Sequence, residues 1–214
     1  MKLEGMKINF LGDSITQGYG VSNPEKLTWH LLIKRDYGLA QANNYGVSGT
    51  RIARRTEPYL SSPCFDVTFE MRAEIMSRDV DAVVVFGGVN DFSHGDAKFG
   101  DMDSDSEDIY TFCGALNSLI SKLKRDFPKA ELVYMTSLHY TKQDEPDQPE
   151  GKILADYVEA MRTICAKRGV KVVDLFAINP LDCHDEYLVP DGIHPSDAGH
   201  AIMAKVVAEE LLKL

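Results

Sequence analysis

Two rhythms of apolar and polar positions alternate along the chain. Short runs rich in apolar residues at 7–11, 82–86, 132–136 and 170–175 read as strands, and the more polar 40–45 as a weak strand ending in Gly46. Ala82-Val83-Val84-Val85-Phe86 is apolar throughout, as expected of a strand buried on both faces. Between these runs, apolar residues return every three or four positions across 27–37, 66–78, 109–127, 152–168 and 196–212, the pattern of amphipathic helices. The 66–78 stretch puts Phe69, Arg72, Ala73 and Met76 on one side. The 109–127 stretch ends before Pro128, and 152–168 is closed by Gly169. The last helix starts after Pro195, with Ser196 placed to cap it. Strand and helix alternate five times, which predicts an α/β fold: a parallel sheet with helices on both faces. Such sheets bind ligands beyond the carboxyl ends of their strands, where strand order reverses. The residues that follow each strand therefore matter most.

Composition narrows the classes. At roughly 150 residues per domain, 214 residues read as a single domain spanning 1–214. A chain this long buries about 70% of its unfolded surface, so it needs no disulfide to fold. With 23 Lys plus Arg against 33 Asp plus Glu, the formal net charge is −10. That charge repels phosphate backbones and anionic lipid, so neither nucleic acid nor a membrane is an expected partner. No window approaches the ~18 apolar residues of a membrane span, and residues 1–10 lack the apolar run and cleavage site of a signal peptide. Cys64, Cys113, Cys165 and Cys183 are widely spaced with no Cys-x-x-Cys pair. Free thiols and a cytoplasmic location are the expectation. Apolar residues on exposed helix faces leave a homo-oligomer open.

The first strand runs into Gly12-Asp13-Ser14-Ile15-Thr16-Gln17-Gly18. A serine at a strand-to-helix turn sits near the positive end of a helix, where its own N–H can stabilise an oxyanion. The same turn also suits an anion-binding or capping role, although it lacks the Gly-Lys-Ser/Thr ending of a P-loop. The second strand leads to Asn44-Tyr45-Gly46-Val47-Ser48-Gly49-Thr50, whose glycines let backbone approach a ligand or simply supply positive φ. The third leads to Gly87-Gly88-Val89-Asn90-Asp91, where Asn90 offers a side-chain donor or forms an Asx turn. Near the C-terminus stands Asp191-Gly192-Ile193-His194-Pro195. A carboxylate three residues before an imidazole can hold it in the tautomer a general base needs. A metal site there lacks third and fourth ligands. Each turn alone is ambiguous. Together they bring a hydroxyl nucleophile, an Asp–His base and three N–H donors to one sheet edge, the parts for acyl transfer.

These four blocks, in this order, resemble the GDSL or SGNH hydrolases: Gly12-Asp13-Ser14-Ile15, then Gly49, then Gly88-x-Asn90-Asp91, then Asp191-x-x-His194-Pro195. The resemblance spans nearly the whole chain. Ile15 replaces the leucine of the family name, and Val89 stands where a small or polar residue is frequent. The resemblance implies a flavodoxin-like three-layer α/β/α sandwich with strand order 2-1-3-4-5. It implies Ser14 as nucleophile, His194 as general base and then acid, and Asp191 as its orienting carboxylate. The backbone N–H groups of Ser14 and Gly49 and the side chain of Asn90 become the oxyanion hole. No cofactor or metal is implied.

Asp13, Arg51, Phe92, His94 and Tyr140 lie close to these blocks or after strands and are candidate substrate contacts. Asp101, Asp103 and Asp105 alternate as in a calcium loop, but Ser106 and Phe112 stand where that loop needs Gly and Glu. A solvated acidic loop capping the next helix is the better reading. No long apolar lid is visible, so the expected partner is a small-molecule ester with a short acyl group, acetyl first, on a soluble alcohol such as a sugar. A lysophospholipase or thioesterase, an acyltransferase and a non-enzymatic phosphate- or anion-binding module are the alternatives, since fold and triad do not set the substrate.

Overall fold

The apolar runs become β1 (Lys7–Gly12), β2 (Gln41–Gly46), β3 (Ala82–Phe86), β4 (Glu131–Met135) and β5 (Lys171–Val173). They form one parallel sheet in the order β2-β1-β3-β4-β5. The structure is a computed structural model describing residues 1–57, 66–95, 97–147 and 150–214. Around the sheet run α1 (Ser14–Gln17), α2 (Pro24–Leu27), α3 (Trp29–Tyr37), α4 (Phe69–Ala73), α5 (Val89–His94), α6 (Phe112–Asp126), α7 (Leu154–Lys167), α8 (Leu175–Ile178) and α9 (Asp197–Lys213).

The period of two along the strands divides the core. Ile8, Phe10, Val84, Phe86, Val133 and Met135 pack with Trp29 and Ile33 of α3 and Met203 and Val207 of α9. Leu11, Val83, Val85 and Tyr134 face the other way, onto Phe69 of α4, Leu116 of α6 and Met161 of α7. Two apolar layers thus enclose the sheet. Gly12 pairs in register with both Gly46 and Phe86, so β1, β2 and β3 end level with one another. Whatever follows them emerges at one edge.

Two helical expectations change, and one helix appears where none was expected. The 27–37 stretch breaks at Thr28, which is extended (φ −66, ψ 141) and bonds through its hydroxyl to the Pro24 carbonyl. The 66–78 stretch yields only the five residues of α4, capped by Thr68. Its continuation is recruited by the sheet: Ser77 N–H donates to Tyr45 Oη (2.9 Å), and the Ser77 carbonyl accepts from Asn9 Nδ2 (2.8 Å). Finally, α5 begins directly after β3, so Asn90 sits in a first helical turn rather than an Asx turn. Gly88 makes that start possible: its φ of +112° is closed to most side chains, and a Cβ there would lie 2.4 Å from Met161 Cε. Among the described residues, no helix is long and apolar enough to cross a membrane, and Cys113, Cys165 and Cys183 are free and buried. Cys64 lies outside the described residues.

Candidate active site

Ser14 opens α1 at the end of β1. Asp13 caps that helix through a bond from Ile15 N–H to its carboxylate (3.1 Å). Ser14 Oγ lies 2.9 Å from His194 Nε2. His194 Nδ1 lies 2.6 Å from Asp191 Oδ2, and Asp191 Oδ1 accepts from the backbone N–H groups of Ile193 (3.1 Å) and His194 (2.7 Å). These bonds assign the proton to Nδ1 and leave the Nε2 lone pair for the serine hydroxyl. Partial burial pushes the Asp191 carboxyl upward. The bonds from His194 backbone, His194 ring and Ile193 outweigh it and hold the group below its usual range, ionised and ready to steady an imidazolium. Ser14, His194 and Asp191 form one continuous chain of hydrogen bonds, an arrangement able to activate a hydroxyl.

The expected donors lie on the loop after β2 and on α5. Gly49 has φ +74°, the left-handed conformation the sequence called for. Asn90 Nδ2 donates to the Thr50 carbonyl (3.0 Å), which ties α5 to the loop carrying Gly49 and leaves a second N–H on the same nitrogen. Asp91 is fully buried and accepts from Ile52 N–H (3.0 Å) and Ala53 N–H (2.9 Å). Burial raises its pKa to about 6 against those bonds and the nearby Arg51. Arg72 of α4 is buried as well. Its guanidinium donates to the Gly12 carbonyl (2.6 Å), the Tyr45 carbonyl and Thr50 Oγ1 (2.8 Å). One side chain thereby ties the ends of β1 and β2 to the Gly49 loop. Burial lowers its pKa to about 10, and Asp13 pulls it back up.

Asp13 is buried, and burial raises its carboxyl to about 6 against the Ile15 N–H bond and the charges of His194 and Arg72. Of the other candidate contacts, Phe92, His94 and Tyr140 come together along a cleft of about 280 Å³, which Ser93, Lys142 and Asp147 also line. Phe92 is its buried floor, edge-on to Tyr140 and to Tyr157. Arg51 is not on that wall. It is 1% exposed, and Asp91 lies close enough to raise its pKa against the lowering effect of burial. It belongs to the support beneath the site. Tyr140 also borders a second, much smaller cavity of about 10 Å³, walled by Asp13, Ile15, Val89, Ser137 and Ile193 among others.

Three contributors escaped sequence reasoning. Arg72 was visible as a charge on an otherwise apolar helix face, a signal that a buried partner set must exist. Tyr19, 56% exposed, sets its ring 4.5 Å from that of His194. Ser137 follows β4 with no motif around it. The acidic loop is held by a lysine: Lys167 Nζ donates to the carbonyls of Asp103 (2.7 Å) and Ser104 (3.2 Å) and pairs with Asp105. Among the described residues, no group of three or more His, Cys, Asp or Glu is placed to hold a metal.

A sequence model of the GDSL-like lipase/acylhydrolase family matches residues 10–202. No curated protein sequence matches the chain. Among solved structures, one is 31% identical with a TM-score of 0.85, covering 100% of this chain and 99% of its own. A protein from Lactobacillus plantarum is 25% identical with a TM-score of 0.78, covering 98% of each chain. The lipase/acylhydrolase from Enterococcus faecalis is 21% identical with a TM-score of 0.63, covering 96% of this chain and 95% of its own, and shares the fold.

Proposed function

Because the chain belongs to the GDSL-like lipase/acylhydrolase family and is an ester-hydrolysing enzyme, we propose that it removes a short acyl group, acetyl first, from a soluble hydroxylated alcohol such as a carbohydrate. The observation that carries this reading is the size of the smaller cavity. Asp13 and Ile15 flank the nucleophile, Val89 precedes Asn90, and Ile193 precedes the base, so the cavity adjoins the reacting centre. At about 10 Å³ it holds roughly one water-sized group. A methyl group fits there and a long acyl chain does not. Beyond Tyr140, the larger cleft combines aromatic faces with hydroxyl, imidazole, ammonium and carboxylate groups. That lining suits a small alcohol rich in hydroxyls, and the volume lies near the lower end of the ~300–1,000 Å³ usual for ligand sites.

In this reading Ser14 Oγ attacks the ester carbonyl carbon while His194 Nε2 takes its proton, and Asp191 steadies the imidazolium. Negative charge on the carbonyl oxygen is met by the N–H groups of Ser14 and Gly49 and by the Asn90 Nδ2–H not given to Thr50. The tetrahedral intermediate collapses, the ester C–O bond breaks, and the leaving alkoxide takes the proton from His194. Water then attacks the acyl-enzyme, losing its proton to His194. The acid leaves and that proton returns to Ser14.

Hydrolysis of p-nitrophenyl acetate, butyrate and octanoate by the wild type and by Ser14→Ala tests the reading. Acetate is expected to be cleaved fastest and the variant to be inert. Fastest cleavage of octanoate overturns the short-acyl assignment in favour of a lysophospholipase or thioesterase. Equal rates for wild type and variant overturn the catalytic assignment.

A further inference from the structure

We propose that the ring of Tyr19 stabilises the imidazolium that His194 becomes during acyl transfer, which makes Tyr19 a positioning residue for the base; this rests on reading Ser14, His194 and Asp191 as the catalytic groups. The Tyr19 ring lies 4.5 Å from the His194 ring, centroid to centroid, at an interplanar angle of 52°. An aromatic ring attracts a cation held within about 6 Å of its centroid, through its quadrupole. Packing does not account for this side chain. Tyr19 is 56% exposed, and its hydroxyl makes no hydrogen bond among the described residues. An aromatic left that open adds little to the core, so the contact with His194 is what sets its ring apart.

The loop that carries the ring is tied to both sides of the reacting pair. Tyr19 N–H donates to the Ser14 carbonyl (2.9 Å). Farther on, Ser22 N–H (2.9 Å) and Ser22 Oγ (2.5 Å) donate to Asp197, the first residue of α9 and close in sequence to His194. Between these ties Gly20 runs beside the base: a Cβ added to it would lie 3.7 Å from His194 Cβ. The backbone therefore holds the ring in place without help from its hydroxyl. A neutral imidazole gains little from the ring's quadrupole. Once the Ser14 proton reaches Nε2 the imidazole is a cation, and the contact strengthens. An interaction stronger in the transition state than in the ground state raises the rate. Besides Tyr19, the titratable groups that face His194 are Asp191 from its own loop, Asp13 from the turn before α1 and His200 from α9. All three are retained when Tyr19 is replaced, so a difference between pH profiles belongs to the ring.

The test measures kcat and KM for p-nitrophenyl acetate from about pH 5 to about pH 9 in the wild type, Tyr19→Leu, Tyr19→Phe and Ser14→Ala. On the alkaline side, where the free base is neutral, Tyr19→Leu is expected to lower kcat/KM about two- to fivefold, the worth of one exposed cation–π contact. Tyr19→Phe keeps the ring and is expected to recover most of that loss. On the acid side the free enzyme already carries the imidazolium and enjoys the same contact, so the wild-type and Tyr19→Leu rates are expected to converge. A loss by one factor at every pH, or a loss that Tyr19→Phe does not recover, overturns the role of the ring while turnover through Ser14 stands. A rise in KM at unchanged kcat makes Tyr19 a substrate-binding surface and also overturns it. Wild-type turnover indistinguishable from that of Ser14→Ala overturns the reading of the catalytic groups and this proposal with it.

Discussion

The two halves of the site are held by opposite strategies. Asp191 and His194 are three residues apart, and one tight loop supplies the carboxylate, the imidazole and both backbone donors that fix the carboxylate. The half bearing Gly49 and Asn90 is assembled from afar. Thr50 is reached by Arg72 from 22 residues away and by Asn90 from 40, and Asp91 grips Ile52 and Ala53 from 39 and 38. Local turns need little help to form, since few dihedrals must be fixed for each bond made. Distant loops need buried charges, and the desolvation those charges suffer shows in the raised carboxyl of Asp91 and the lowered guanidinium of Arg72. The base half is thus self-sufficient, and the donor half depends on residues that touch no substrate.

The sharpest way to break this contrast is to remove the base half. Ser14→Ala or His194→Ala is expected to lower kcat by about 10⁴–10⁶-fold, with the double variant no worse than either single, because the pair acts as a unit. Strict additivity in single-turnover kinetics would separate them. Next is Asn90→Ala, which on the proposed mechanism removes one oxyanion donor and is expected to cost about 10²–10³ in kcat with KM little changed. A rise in KM at constant kcat would make Asn90 a ground-state binder instead.

Arg72 probes the long-range support. Arg72→Met is expected to lower kcat about 10–10²-fold through misplacement of the Gly49 loop, with KM nearly constant and a reduced Tm. Arg72→Lys keeps the charge, but one ammonium cannot reproduce the spread of the guanidinium over Gly12, Tyr45 and Thr50. It should therefore recover Tm more than kcat. Full activity in both variants would show that the donor loop stands without this tie.

The smallest effect concerns stability. Burial raises Asp13 from an ordinary 3.8 to about 6. A carboxyl raised on folding contributes stability below its unfolded pKa and loses it as pH rises through the folded one. Here the loss runs from about 4 to about 6 and is complete at neutral pH. Asp13→Asn is therefore expected to gain about 1–3 kcal/mol near pH 7.5, with the gain shrinking as pH falls through 6. Denaturant melts of both proteins across that range check it. A gain independent of pH would mean that the carboxyl titrates alike in the folded and unfolded chain.

Legibility followed the same division. The strands could be read because a sheet covered on both faces demands apolar runs, and Ala82 to Phe86 has little other use. The Asp191–His194 pair could be read because its geometry is made within three residues, whereas the 2.9 Å approach of Ser14 to His194 joins residues 180 positions apart. The 66–78 helix was misjudged because Ser77 serves Asn9 and Tyr45, partners that periodicity does not contain. Arg51 was expected at the cleft because it follows Gly49 closely, yet it turned inward toward Asp91, a carboxylate 40 positions later in the chain.

What the order of residues determined alone was the parallel α/β architecture and the close Asp–His pair of one local loop, because each depends on periods and spacings shorter than about one element. What required the folded chain was the level ending of β1, β2 and β3, the inward turn of Arg51, the reach of Arg72 across two strand ends, and the small cavity walled by Asp13, Ile15, Ser137 and Ile193. Those features are sums over many packed neighbours, and packing is resolved only when every side chain competes for the same space.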